Sequence, residues 1–198
     1  MKKFELTTES ITNVAGKKLF RIKALIDFED VKAGELGGYV EKEGNVSQDG
    51  DAWVSGNAKV YGNARVYGNA RISGDAWVSG NARVYGNARV SGNARVSGNA
   101  WVSGDAWVYG NARVSGNARV SGNADYTLIQ GFGTEFRCTT FYRGKNKKIM
   151  VNCGCFHGDL EEFKKQVKET RNGKIAKEYL MIADLMEYHF ASENSDDE

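Results

Sequence analysis

The chain has 198 residues, with 27 Lys and Arg against 25 Asp and Glu, a net charge of +2, no proline, three cysteines and two histidines. This length allows one or two domains. An odd, small set of cysteines argues against a disulfide framework and suits a reducing compartment. Neither a signal peptide nor an apolar run of membrane length is legible, so the expectation is a soluble, cytoplasmic protein with no membrane partner.

Taken in chain order, Lys2–Thr7 and Lys18–Phe28 alternate apolar and polar residues and predict a β-hairpin or small sheet. Val31–Val40 then leads into a repetitive block. Residues 1–43 are therefore expected to form an N-terminal β cap, because an open strand ladder invites edge-to-edge association unless something covers it.

From Gly50 to Ser121 the chain is twelve unbroken copies of the hexad Gly-[Asn/Asp]-Ala-[Arg/Lys/Trp]-[Val/Ile]-[Ser/Tyr], with looser copies at Gly44–Asp49 and Gly122–Thr127. Self-similarity at a fixed period marks a solenoid, in which each unit buries its apolar face only against its neighbours. Within a hexad Ala and Val point one way, and the Arg, Lys or Trp between them points the other. Gly-Asn or Gly-Asp turns the chain, since both residue types tolerate positive φ. Short strands with a sharp turn every six residues cannot pair as hairpins and must coil. The interior is predicted to be filled by ladders of Ala and of Val54, Val60, Val66, Ile72 and their successors, leaving no internal cavity.

These hexads, with a small and an aliphatic residue at fixed spacing, resemble the hexapeptide-repeat family of left-handed parallel β-helices. The resemblance implies the left hand, three flat faces, and three hexads to a turn, so that residues eighteen apart stack about 4.8 Å from one another. The stretch Asp27-Phe28 through Leu36-Gly37-Gly38-Tyr39-Val40 to Val46-Ser47 resembles the leader of hexapeptide-repeat proteins from tailed phages and prophages. The fold expected is mainly β: a left-handed parallel β-helix over residues 44–127, the β cap, an α+β tail domain over 128–191, and a disordered acidic tail at 192–198.

In the tail domain, Tyr126–Phe132, Glu135–Tyr142 and Lys148–Phe156 read as three strands. Asp159 and Glu162 form a capping box opening a helix with Leu160, Phe163 and Val167 on one face. Asn172-Gly173 is expected to stop it. A second helix carries Ile175, Tyr179, Ile182, Ala183, Met186 and Phe190, giving a βββαα order. Val151-Asn152-Cys153-Gly154-Cys155-Phe156 followed by Gly158–Phe163 resembles a tail domain of phage proteins.

Cys138, Cys153, Cys155 and His157 are a candidate Cys3His zinc set, since Cys153, Cys155 and His157 alternate along one expected strand. Ligands at i and i+2 of a regular strand lie about 7 Å apart, too far for tetrahedral thiolates unless Gly154 makes a bulge. The competing reading is that the cysteines are small core residues facing the helices. For a nucleophilic Cys155 served by His157 or His189, no third, orienting group is evident.

Acyltransferases of the hexapeptide family resemble this block in fold but typically use a coil histidine as base, and related carbonic anhydrases bind zinc through histidines. Residues 50–121 contain no histidine, and no hexad is interrupted by a loop. No cofactor and no catalytic residue are therefore expected. The outer surface remains. Residues 50–125 carry eight basic and four acidic groups. Taking positions modulo eighteen, one face reads Ser47, Arg65, Arg83, Trp101, Arg119, the next Trp53, Arg71, Arg89, Trp107, Asp125, and the third Lys59, Trp77, Arg95, Arg113. Tyr67 and Tyr85 fall at a corner flanked by Arg65, Arg83, Arg71 and Arg89, a patch suited to an anion, an acidic partner, or single-stranded nucleic acid. The same residues also suit a solvated face with no ligand. Trp77 and Trp101 are hot-spot types for a protein partner or a second copy. Units opening at Gly50 and Gly74 are 24-residue near-copies, which moves each successive tryptophan one face round.

The leading expectation is thus a non-enzymatic phage-type accessory protein that binds another protein, host-encoded on that view, and displays its tail domain. Parallel-axis homotrimers are common among relatives of this fold. The alternatives are a nucleotide or nucleic-acid binder through the Arg/Tyr edge, and an acyltransferase.

Overall fold

The computed structural model describes residues 1–191. The acidic tail expected at 192–198 lies outside the described residues. The chain divides into two compact units, Met1–Asn123 and Ala124–Glu198.

The first unit opens with β1 (Phe4–Thr12), β2 (Lys18–Ala24) and β3 (Leu36–Val40). β1, β2 and β3 pair antiparallel in that order. The predicted second strand runs to Phe28 but stops at Ala24, where a turn joining Phe28 to Val31 through reciprocal backbone bonds takes over. Each hexad then supplies a two-residue strand: β4 (Trp53–Val54), β5 (Lys59–Val60), β6 (Arg65–Val66), β7 (Arg71–Ile72), β8 (Trp77–Val78), β9 (Arg83–Val84), β10 (Arg89–Val90), β11 (Arg95–Val96), β12 (Trp101–Val102), β13 (Trp107–Val108), β14 (Arg113–Val114) and β15 (Arg119–Val120). They form three parallel sheets, β4-β7-β10-β13, β6-β9-β12-β15 and β5-β8-β11-β14. The last is continuous with the cap, because β3 pairs parallel with β5. The result is a β-solenoid of about five turns.

The three-face arithmetic holds in the strict hexads: Arg65 pairs with Arg83, Lys59 with Trp77 and Arg71 with Arg89, each eighteen residues apart. Every hexad Ala and Val is buried. Each Val side chain removed from water contributes about 1.5–3 kcal/mol. At the corners Asn side chains bond one another along the stack, as from Asn63 to Asn81 at 3.2 Å and from Asn81 to Asn99 at 3.0 Å. The corner glycines take positive φ and lie one above another, so Gly98, at φ +67°, would place a Cβ 2.8 Å from the amide nitrogen of Gly116.

The ladder has a polarity. The amides of the outward residues donate to the following coil, as from Trp53 N to the Ala70 oxygen at 3.0 Å, so the first coil presents Ala and Val carbonyls with no preceding coil to serve them. The cap supplies the donors. Tyr39 N and Glu41 N reach the oxygens of Ala58 and Val60. Asn45, fully buried, donates from Nδ2 to Gly62 at 3.1 Å and Ala64 at 2.9 Å. Lys3, also buried, donates from Nζ to Gly50 at 2.9 Å and Ala52 at 2.8 Å. Gln48 holds β1 in place, accepting from the amides of Lys3 and Phe4 and donating to the Phe4 oxygen.

Two expectations about the block's ends are corrected. Ser47, expected above Arg65, is shifted by two residues, since Val46 bridges Val66 and Ser47 N bonds the Val66 oxygen at 2.8 Å. The two extra residues lie between Val46 and Trp53, because Tyr39 pairs with Lys59 and Val46 with Val66, twenty residues on, whereas Trp53 pairs with Arg71, eighteen on. The loose copy at Gly122–Thr127 does not continue the coil: Asn123–Asp125 forms a 3-10 turn, and Tyr126 and Thr127 begin an antiparallel strand.

The second unit holds β16 (Tyr126–Phe132), β17 (Arg137–Arg143), β18 (Ile149–Cys153) and β19 (Phe156–Asp159), an antiparallel sheet in that order, followed by α1 (Leu160–Thr170) and α2 (Gly173–Phe190). The expected third strand, Lys148–Phe156, is two strands. Gly154 at φ +61° turns the chain back on itself, which a side-chain-bearing residue adopts only at a cost. The predicted βββαα order is therefore ββββαα. The capping box forms as expected, Asp159 accepting from Glu162 N at 3.0 Å and Glu162 from Asp159 N at 2.8 Å. Gly173 opens the second helix rather than closing the first, which ends at Thr170 with Arg171 as its C-cap. Phe141, Val151, Leu160, Phe163, Val167, Tyr179 and Met186 form this unit's core, where sheet and helices meet. Among the described residues no helix is long and apolar enough to cross a membrane.

Candidate functional site

The outward position of each hexad carries the side chains that chemistry could use. On the face shared with the cap, Trp77 lies between the two cations that its sheet register puts beside it: Lys59 Nζ is 5.5 Å and Arg95 Cζ 4.6 Å from its ring centroid. On the neighbouring face Trp101 is flanked in the same way, by Arg83 at 5.2 Å and Arg119 at 4.1 Å. Cations over an aromatic face contribute about 0.5–1 kcal/mol each at exposed sites. Both tryptophans are therefore half-buried rather than fully exposed. The spacing that builds these stacks, 59-77-95 and 83-101-119, was read from the sequence; what was missed is that each tryptophan is covered by the cations eighteen residues either side of it.

Trp53 behaves differently. It is buried under the cap, edge-on to Phe28 at 5.5 Å and Phe4 at 6.3 Å. Trp107 is about half exposed and donates from Nε1 to Ser91 Oγ at 3.0 Å. On this face Arg71 is neutralised by Glu29 at 2.6 Å and Asp30 at 2.7 Å, both from the cap turn, so it is not part of an open cationic edge. Arg89 beside it has no ion-pair partner among the described residues. A groove of about 470 Å³ runs over Arg71 and Arg89 between Trp53 and Trp107.

At the corner, Tyr67 and Tyr85 stack with ring centroids 4.9 Å apart and planes within 3°, and Trp101 meets Tyr85 edge-on at 6.4 Å. Burial, then the neighbouring Tyr85, pushes the Tyr67 phenol above its ordinary pKa. A second groove, of about 560 Å³, lies against Tyr67 and is lined by Arg65, Arg83, Ser47, Gln48 and Glu43. The structure thus brings Arg65, Arg83, Tyr67 and Tyr85 together and places Arg71 and Arg89 on the other face, in the other groove.

In the second unit the candidate zinc ligands are dispersed by the Gly154 turn. Cys153 packs against the helix-facing core and accepts from Thr139 Oγ1 at 3.1 Å. Cys155 is exposed in the turn, and Cys138 is half-buried on β17. His157 is in register with Asn152, its Nε2 3.1 Å from the Tyr142 hydroxyl. Among the described residues no group of three or more His, Cys, Asp and Glu side chains is placed to hold a metal ion. A small cavity of about 100 Å³ in this unit is lined by Cys153, Cys155, Arg137, Arg171 and Tyr179.

This chain is a repeat β-solenoid protein. Its hexads are similar to the YdcK Beta solenoid repeat, whose family model matches overlapping segments across residues 58–110 and again at 112–124. No curated protein matches the chain.

Proposed function

We propose that the solenoid is a non-catalytic binding scaffold whose outer faces hold an acidic protein partner. The observation that carries this reading is the set of uncompensated cations on its faces. Among the described residues Lys59, Arg65, Arg83, Arg89 and Arg95 have no carboxylate within ion-pair distance, and Trp77 and Trp101 lie between them. Guanidinium and indole groups side by side are what protein interfaces concentrate at their energetic centres. A non-catalytic role is further supported by coils without histidine and by a strand in every hexad from Trp53 to Val120, with no loop thrown out to wall a cofactor site. The resemblance of both ends to phage proteins, stated above, is what suggests a phage source, a host-encoded partner and the host cytoplasm. The family likeness suggests self-association as a parallel trimer.

The test combines sizing by multi-angle scattering with affinity capture by the full chain and by a variant carrying Arg83→Glu and Arg95→Glu. Both positions are on the surface, so circular dichroism should be unchanged. A defined partner captured by the wild type, released by salt and lost with the variant is expected. Capture of the same partner at undiminished yield by the charge-reversed variant rules out the cationic faces as its docking site.

A further inference from the structure

The Tyr67–Tyr85 column has one open end. Trp101 closes it at Tyr85, meeting that ring edge-on. At Tyr67 the two-residue register shift brings Ser47 alongside, because Val46 bridges Val66 and Ser47 N bonds the Val66 oxygen. A serine is too short to cover a phenol ring, and the groove of about 560 Å³ opens at this place. Two guanidinium groups line it. Arg65 is exposed and has neither carboxylate nor aromatic partner among the described residues, and Arg83 meets only the Trp101 ring. The acid at the lip, Glu43, is engaged by Lys2 at 2.8 Å.

We propose that this groove binds a small planar aromatic anion of the nucleoside monophosphate class, its ring stacked on Tyr67 and its phosphate held by Arg65 and Arg83. Each half of the ligand answers one half of the groove. A flat ring extends a column that is already parallel, and every nucleobase has a face to offer. The guanidinium fork matches phosphate oxygens in pairs and stays charged at any physiological pH. The Tyr67 phenol is neutral at physiological pH, as tyrosines ordinarily are, so it puts no negative charge beside the anion. The site is one corner of one coil; it shares Arg65 and Arg83 with the cationic faces, but Tyr67→Ser removes the stack and leaves those cations in place, so the two readings fail separately.

The experiment is calorimetric titration of the full chain with AMP, UMP, adenosine, inorganic phosphate and a short single-stranded oligonucleotide. Saturable binding of the mononucleotides at one site is expected, with adenosine and phosphate each about tenfold weaker or more. Tyr67→Ser installs the residue other hexads carry at the same place, such as Ser73 and Ser79, so the coil remains intact. It should lower mononucleotide affinity about tenfold, the scale of one lost base stack. Arg65→Gln should do likewise through the phosphate. The proposal is overturned if neither mononucleotide binds, if phosphate alone binds as tightly as AMP, or if Tyr67→Ser leaves affinity unchanged. Binding of the oligonucleotide without the mononucleotides also overturns it, in favour of an extended polyanion track.

Discussion

Lys3 Nζ lies 2.8 Å from the carbonyl oxygen of Ala52, joining the third residue of the chain to the first full coil of the solenoid. The same ammonium reaches the Gly50 oxygen and sits 5.0 Å from the centroid of the Phe28 ring, so a buried cation serves two backbone acceptors and one aromatic face.

Lys3→Met should leave both carbonyls buried without a donor and lower stability by about 1–3 kcal/mol. Urea unfolding followed by tryptophan emission reads it, with Trp53 under the cap as the local reporter. The pH dependence has a definite sign. Burial pushes Lys3 down to about 8 from 10.5, so between those values the unfolded chain binds the proton more tightly. Wild-type stability relative to Lys3→Met is therefore flat below about pH 8 and rises toward 10.5. Parallel profiles for the two proteins would show that the ammonium is not desolvated.

Gly98→Ala should cost about 1–3 kcal/mol. The new residue must adopt a left-handed backbone, and its methyl meets only backbone atoms of Gly116, the nearest its N at 2.8 Å, with nothing flexible to yield. Ser97→Ala, one residue earlier, should change stability by no more than about 0.5 kcal/mol. Equal melting temperatures for the two variants would mean the corner stack is looser than described.

Arg95→Ala should destabilise by about 0.5–1 kcal/mol by removing the nearer of the two cations on Trp77. It should also make Trp77 more accessible, read as increased acrylamide quenching relative to wild type. Unchanged quenching would mean that Arg95 does not cover the ring in solution.

Asp159→Ala should cost about 1 kcal/mol through loss of the α1 cap. The bond from Lys148, and next that from Glu162 N, hold the Asp159 carboxyl below the ordinary aspartate range. Its contribution is therefore complete above about pH 4 and lost as pH falls through the depressed folded value. Helical circular dichroism of wild type and variant should converge in acid; a constant gap down to the lowest pH would refute the assignment.

The coil strands were legible from the alternation of inward Ala and Val with an outward residue in every hexad, and the three faces from the resemblance, which implied eighteen residues to a turn. Legibility failed where the period stopped. Ser47 was counted on by eighteen, although two extra residues between Val46 and Trp53 set everything ahead of the strict hexads twenty residues from its neighbour. Lys3 read as the solvent side of an alternating strand, since nothing local to it reveals a row of carbonyls some fifty positions later. Gly154 was weighed as a bulge within one strand, and only the pairing of Cys153 with Phe156 shows a reversal. At the candidate site, Arg65, Arg83, Tyr67 and Tyr85 were correctly grouped from sequence. Arg71 was not distinguishable from them, because its neutralisation comes from Glu29 and Asp30 on a cap turn with no periodic relation to it.

The polarity of the ladder has one more consequence. One end of such a coil presents the Ala and Val carbonyls and the other the outward-residue amides that would reach them, so copies stripped of their caps would be complementary head to tail, each the natural continuation of the last. Nothing in the hexad itself says where to stop. By seating an ammonium and an amide on the acceptor end, Lys3 and Asn45 make a finite molecule out of what is otherwise the subunit of a fibre.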